Sequence, residues 1–101
     1  MNNRLEIARD FAESINSDKI DTIILFGSVA RGDDTENSDI DILIVSNYKN
    51  EIESEIDELA FDIVLSKQEI ISAHIASKSK LDDNKDFSFM HNLRRDGIVL
   101  I

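Results

Sequence analysis

Gly27 and Ser28 follow directly on an apolar run, Thr22-Ile23-Ile24-Leu25-Phe26, and Asp39 and Asp41 lead into another, Ile42-Leu43-Ile44-Val45. These residues have the types and spacing to do chemistry. In an extended strand, side chains at i and i+2 leave from one face, and at ~3.3 Å rise per residue the two aspartates have Cα atoms about 6.6 Å apart. Carboxylates so placed can converge on divalent cations ~3.5–4 Å apart, the spacing of two-metal phosphoryl chemistry. Two ionised carboxylates this close repel each other and raise one pKa; a cation removes that penalty. Magnesium suits them because it takes oxygen ligands and shares its shell with substrate phosphates and water. Ile40 points to the opposite face and fixes the side the acids occupy. The plain alternative is a pair of solvent-facing acids on a half-buried strand, but Asp is depleted in strands, so two on one face need a reason.

Glycine at 27 allows positive φ and close approach of backbone to a ligand. The amides that follow, at the start of a helical turn, offer donors and a partial positive field to phosphate. The Ser28 hydroxyl either bonds a phosphate oxygen or caps the turn. Arg31 either touches a phosphate or pairs with Asp33, Asp34 or Asp39. Gly32 closes the turn, Asp33, Asp34 and Glu36 form a solvated loop, and Ser38 caps it.

These residues need a scaffold of helices and strands. Residues 3–17 read as a helix, with Leu5, Ala8, Phe11, Ala12 and Ile15 at 3–4 spacing. Thr22 to Phe26 and Ile40 to Val45 read as buried strands. In Tyr48 to Leu59, Ile52, Ile56 and Leu59 fit a helical stripe, with a hairpin strand as the alternative for part of it. Phe61 to Leu65 reads as a third strand carrying Asp62, and Ser66-Lys67-Gln68-Glu69 as a capping box opening a helix to about Ser77 that includes His74. Residues 78–85 read as a loop. Phe87, Met90, Leu93 and Arg94 lie on a last helix stopped by Gly97, and Ile98 to Ile101 add a strand or pack on the core. Phe87 and Phe89 are expected in the core or an interface. His74 and His91 lack ligand spacing and are expected as helix residues at core edges. The short link between the first two strands lets them run antiparallel, bringing Gly27 near Asp39. The longer second link permits a parallel crossover, which would set Asp62 level with Asp39 and Asp41.

A chain of 101 residues suffices for one domain with a modest core, so a single domain over residues 1–101 is expected. The fold class is α/β (α+β), a small mixed sheet with helices packed on it. A net charge of −10, from 21 acids against 11 bases, repels nucleic-acid phosphates; no stable nucleic-acid binding is expected, and docking to a basic protein is favoured. An anionic nucleotide entering such a surface needs cations with it. The chain has no cysteine, hence no disulfide or thiolate metal site, which agrees with a reducing cytosol. No signal, transit or membrane-spanning segment appears, and the expected location is cytoplasmic.

Phe26-Gly27-Ser28 followed by Asp39-Ile40-Asp41-Ile42 resembles the signature of the polymerase beta-like nucleotidyltransferase superfamily. Gly-Ser-x-Ala-Arg-Gly-Asp followed by Ser-Asp-Ile-Asp-Ile-Leu-Ile is similar, more closely, to the minimal nucleotidyltransferases. These are MntA-type chains of bacteria and archaea, often the antitoxin partner of a HEPN-domain toxin. The ending Leu93-Arg94-Arg95-Asp96-Gly97-Ile98 resembles theirs also. The resemblance implies the superfamily fold, ATP as substrate, and two Mg2+ ions on Asp39 and Asp41. It also implies a third carboxylate on a later strand, matched by Asp62, as metal ligand or proton acceptor. It implies phosphate binding at Gly27, Ser28 and Arg31, and transfer of AMP to an acceptor hydroxyl, a tyrosine of a partner HEPN toxin. Two alternatives stay open: a non-catalytic module that neutralises its partner by occlusion, and the catalytic half of a small-molecule transferase.

Overall fold

The computed structural model describes residues 2–83 and 87–101. The last two residues of the expected loop, 84 and 85, and the side-chain packing expected of Phe87 and Phe89 lie outside the described part. In chain order the elements are α1 (Arg4–Ile15), β1 (Thr22–Phe26), α2 (Gly27–Arg31), β2 (Ile40–Val45), α3 (Lys49–Lys67), β3 (Ile71–Ala76), α4 (Lys78–Asp83), α5 (Phe87–Asp96) and β4 (Ile98–Val99). The four strands form one sheet in the order β3-β2-β1-β4. β1 runs antiparallel to β2 and to β4, and β2 runs parallel to β3 with α3 as the crossover.

Alternation along the strands divides the sheet into two faces. Ile23, Leu25, Ile40, Ile42, Ile44 and Ile71 pack with Ile7, Ala8, Phe11, Ala12 and Ile15 of α1 and Ile52 and Ile56 of α3. On the other face Leu43 and Val45 pack with Leu93 of α5, beside Ile24, Phe26 and Leu81. Asp41 belongs to this second face, between two residues of the opposite one, as Ile40 and Ile42 are fully buried. The α1 stripe differs from expectation at its start, where Arg4 and Ile7 are buried and Leu5 is not. Leu5 is 38% exposed, and the stripe begins with the buried Arg4.

The larger correction concerns residues 61–77. Phe61 to Leu65 is not a strand; it is the last third of the 19-residue helix α3. Ile52, Ile56, Leu59, Ala60 and Ile63 all meet the same core, so a 3.6-residue period runs unbroken through the segment whose aromatic and β-branched content favours a strand. Phe61 and Leu65 fall off the stripe and are 60% and 63% exposed. The expected capping box at Ser66 to Glu69 is the end of this helix. Gln68 takes the left-handed conformation (φ 54°) and its N–H bonds Val64 O. The third strand is Ile71–Ala76, where a helix was expected. Within residues 78–85, read as a loop, residues 78–83 form α4. Helix α5 and the strand after Gly97 stand where the sequence reading put them.

Candidate active site

Pairing of β1 with β2 sets Phe26 opposite Asp41. The next residue, Gly27, has φ +75°, and a Cβ built on it would overlap Asp41 Oδ2 and come within 3.1 Å of Cγ. Glycine is required here for two separate reasons: the left-handed backbone and the carboxylate lying against it. The turn continues into α2, whose N-cap position is Phe26 without a side-chain cap bond, so Ser28 lies inside the helix rather than at its cap. Gly32 ends α2 at φ +81° with open space around it.

Asp39 lies one residue before β2 and is exposed, whereas Asp41 is half-buried. Among the described residues neither carboxylate has a hydrogen-bond or ion-pair partner in the protein. Burial raises the pKa of Asp41; His74 draws it down in part, the charge of Asp39 pushes it up, and Arg31 draws it down. The arrangement is an under-neutralised acid pair at an open sheet end. Magnesium needs only one or two protein carboxylates, with phosphate and water completing its shell, so the pair fits such an ion.

Arg31 bonds Asp33 through Nε at 3.2 Å, and both side chains are exposed. Such a pair is worth about 0–1 kcal/mol, so the guanidinium is free to exchange it for a phosphate. Phe26, Gly27, Arg31, Asn92 and Leu93 line a hollow of about 210 Å3 next to the turn.

Asp62 is not part of this assembly. It is carried by α3 and lines a groove against α1 with Ile7, Asp10, Phe11 and Ser14. Among the described residues no three His, Cys, Asp or Glu side chains gather closely enough to hold a metal. The slot that a third acid would take, opposite Asp41 on the parallel neighbour, holds Ser72, and His74 stands opposite Leu43. Ser72 Oγ and His74 Nε2 are 3.3 Å apart, and the His74 ring lies 5.7 Å from that of Phe26. His74, expected at a helix edge, is therefore a neighbour of the acid pair. No local signal marked it, because its place depends on which segment pairs with β2. Arg4 was also missed, although its position on the buried stripe of α1, one turn before Ile7 and Ala8, was a readable signal.

The chain has clear relatives. Residues 5–97 match the family model described as "Nucleotidyltransferase domain". The chain is 37% identical to the "Putative protein adenylyltransferase MJ0604" of Methanocaldococcus jannaschii, over 97% of this chain and 98% of that one. Among solved structures, it superposes on a toxin–antitoxin crystallised with AMP-PNP at TM-score 0.62 and 20% identity, covering 99% of this chain and 73% of the other. A mutant of the toxin–antitoxin MntA-HpeT gives TM-score 0.61 at 20% identity with the same coverages. With the family match spanning nearly the whole chain and the acid pair set against the Gly27 turn, the chain belongs to the nucleotidyltransferase-domain family.

Proposed function

We propose that the chain transfers AMP from ATP to a hydroxyl on a partner protein, a tyrosine of a HEPN-type toxin, and thereby silences it. One observation carries the site assignment: Gly27 is folded at positive φ against the carboxylate of Asp41, with Asp39 two residues away and no protein cation between them among the described residues. Asp39 and Asp41 are the residues that would hold Mg2+. When bound, the ion supplies charge neutralisation for the triphosphate and a lower pKa for an attacking oxygen. The chain's own residues bind and orient the nucleotide. The phosphates lie along Gly27 and Ser28, with Arg31 released from Asp33 to meet them. The acceptor hydroxyl gives up its proton to water and forms its bond to the α-phosphorus as the bond to pyrophosphate breaks. In chemistry of this kind positioning and charge stabilisation dominate. The net charge of −10 supports a basic protein acceptor over nucleic acid. The AMP-PNP in one structural neighbour and the adenylyltransferase name of the archaeal relative support ATP and a protein acceptor.

The test is label transfer from α-labelled ATP to a co-expressed toxin partner, with Asp39→Asn/Asp41→Asn beside the wild type. Loss of label in the double variant is expected; undiminished transfer rejects the mechanism. The absence of a third acid beside the pair, among the described residues, favours one second reading, neutralisation by occlusion. An occluding antitoxin would still protect cells when both aspartates are replaced.

A further inference from the structure

The eight residues 32–39, Gly-Asp-Asp-Thr-Glu-Asn-Ser-Asp, link α2 to β2 and contain no apolar side chain. Hydrophobic burial therefore cannot fix this loop, although it delivers Asp39 to the site. Its anchor comes from the far end of the sequence. The Arg4 side chain is 4% exposed and sits beneath the loop. Its Nη1 donates to Asp34 Oδ2 at 2.8 Å and to Thr35 O at 2.5 Å, and its Nη2 donates to Glu36 O at 3.0 Å. Its Nε donates to Glu69 Oε2 at 2.6 Å. Glu69 is also buried, and it precedes Ile70, whose carbonyl accepts from Ile40 N at 2.9 Å. One guanidinium thus ties three consecutive loop residues to the entry of β3, at the sheet end that carries the acid pair. The loop closes on itself just before Asp39, as Ser38 N donates to Thr35 O and Thr35 N to Ser38 Oγ, both at 3.0 Å. Asp41 is set by strand pairing; Asp39, outside the strand, depends on this anchored loop.

We propose that Arg4 is a positioning residue for the nucleotide site: its fork to residues 34–36 and Glu69 sets where the Asp39 carboxylate stands relative to that of Asp41. The proposal rests on the reading of these two aspartates as the magnesium–nucleotide pair. Arg4 touches no substrate; it acts through the loop. A lysine would keep the charge but could not span four acceptors in a fixed plane.

The experiment is a calorimetric titration of ATP with excess Mg2+ into wild type, Asp41→Asn, Arg4→Lys, Arg4→Met/Glu69→Gln and Asp34→Ala. Amide exchange over residues 33–39 and a thermal melt without Mg2+ accompany it. The double variant removes both buried charges together, so its melt should stay near that of the wild type. Arg4→Lys and the double variant should lose about 10- to 100-fold in Mg–ATP affinity, the scale of effect when the orientation of a metal ligand is disturbed, and residues 33–39 should exchange faster. A folded double variant with wild-type affinity and exchange would overturn the proposal. If that variant does not fold, Asp34→Ala decides, since it keeps the Arg4–Glu69 pair and frees only the loop. Faster exchange with weaker binding then supports the proposal, and wild-type behaviour overturns it. Wild-type affinity in Asp41→Asn would instead sink the metal-site reading beneath it.

Discussion

Gly27→Ala separates two costs that the structure assigns to this position. The first is backbone: a non-glycine residue in the left-handed region costs about 1–2 kcal/mol. For a domain of this size 1 kcal/mol shifts the melting temperature by about 4–8 °C, so roughly 4 to 16 °C would be lost. The second cost is contact, since the new methyl would occupy the space of Asp41 Oδ2 and force the carboxylate to turn away. Gly32→Ala is the control. At φ +81° it meets the same backbone cost, but nothing lies within 4 Å of the added Cβ. Melts should therefore show Gly27→Ala at least as destabilised as Gly32→Ala. Calorimetric titration with ATP and Mg2+ should show wild-type affinity in Gly32→Ala and a loss of at least about tenfold in Gly27→Ala, by comparison with the 10- to 100-fold effects of disturbed ligand orientation. Wild-type affinity in Gly27→Ala, or an equal loss in both variants, would refute the role given to the Gly27–Asp41 contact.

Asp41→Asn should make the metal-free protein more stable at neutral pH while abolishing Mg-dependent ATP binding. Burial raises the Asp41 pKa above its ordinary 3.8, so between that value and the raised one the folded state binds more protons than the unfolded state. The contribution of this group to stability then falls as pH rises through that window. Denaturant melts from pH 4 to 7 should show this slope in the wild type and its loss in the variant. Phe61→Ala should change stability by no more than about 0.5 kcal/mol, as for an exposed site; a strand-core phenylalanine would cost about 3–5 kcal/mol, and a melt distinguishes them. Asp62→Asn should leave Mg–ATP affinity at the wild-type value, and a tenfold loss would return that residue to the site. Gly97→Ala should destabilise by about 1–3 kcal/mol through overpacking, because its Cβ would run into Leu93 O and sit 3.0 Å from Ile24 Cγ2; a thermal melt measures it.

What the sequence determined by itself is what short-range constraints decide. The turn glycine, the acid pair and the apolar runs on either side lie within two dozen residues, and a brief antiparallel connection leaves one register that buries both runs. Thr22–Phe26 and Ile40–Val45 accordingly occupy the expected positions, and Gly27, expected near Asp39, lies against the other acid of the pair, Asp41. Tertiary structure alone decided which later segment joins β2. Phe61 to Leu65 and Ile71 to Ala76 are both apolar enough to be strands, and strand composition favours the first. The continuous helical period from Ile52 to Ile63, buried against α1 and the sheet, gives that segment to α3 and leaves the pairing position to Ser72 and His74. Arg4 depended on the same kind of fact. Its partner Glu69 is 65 residues away, and a buried charge declares its partner only when the chain has closed around both.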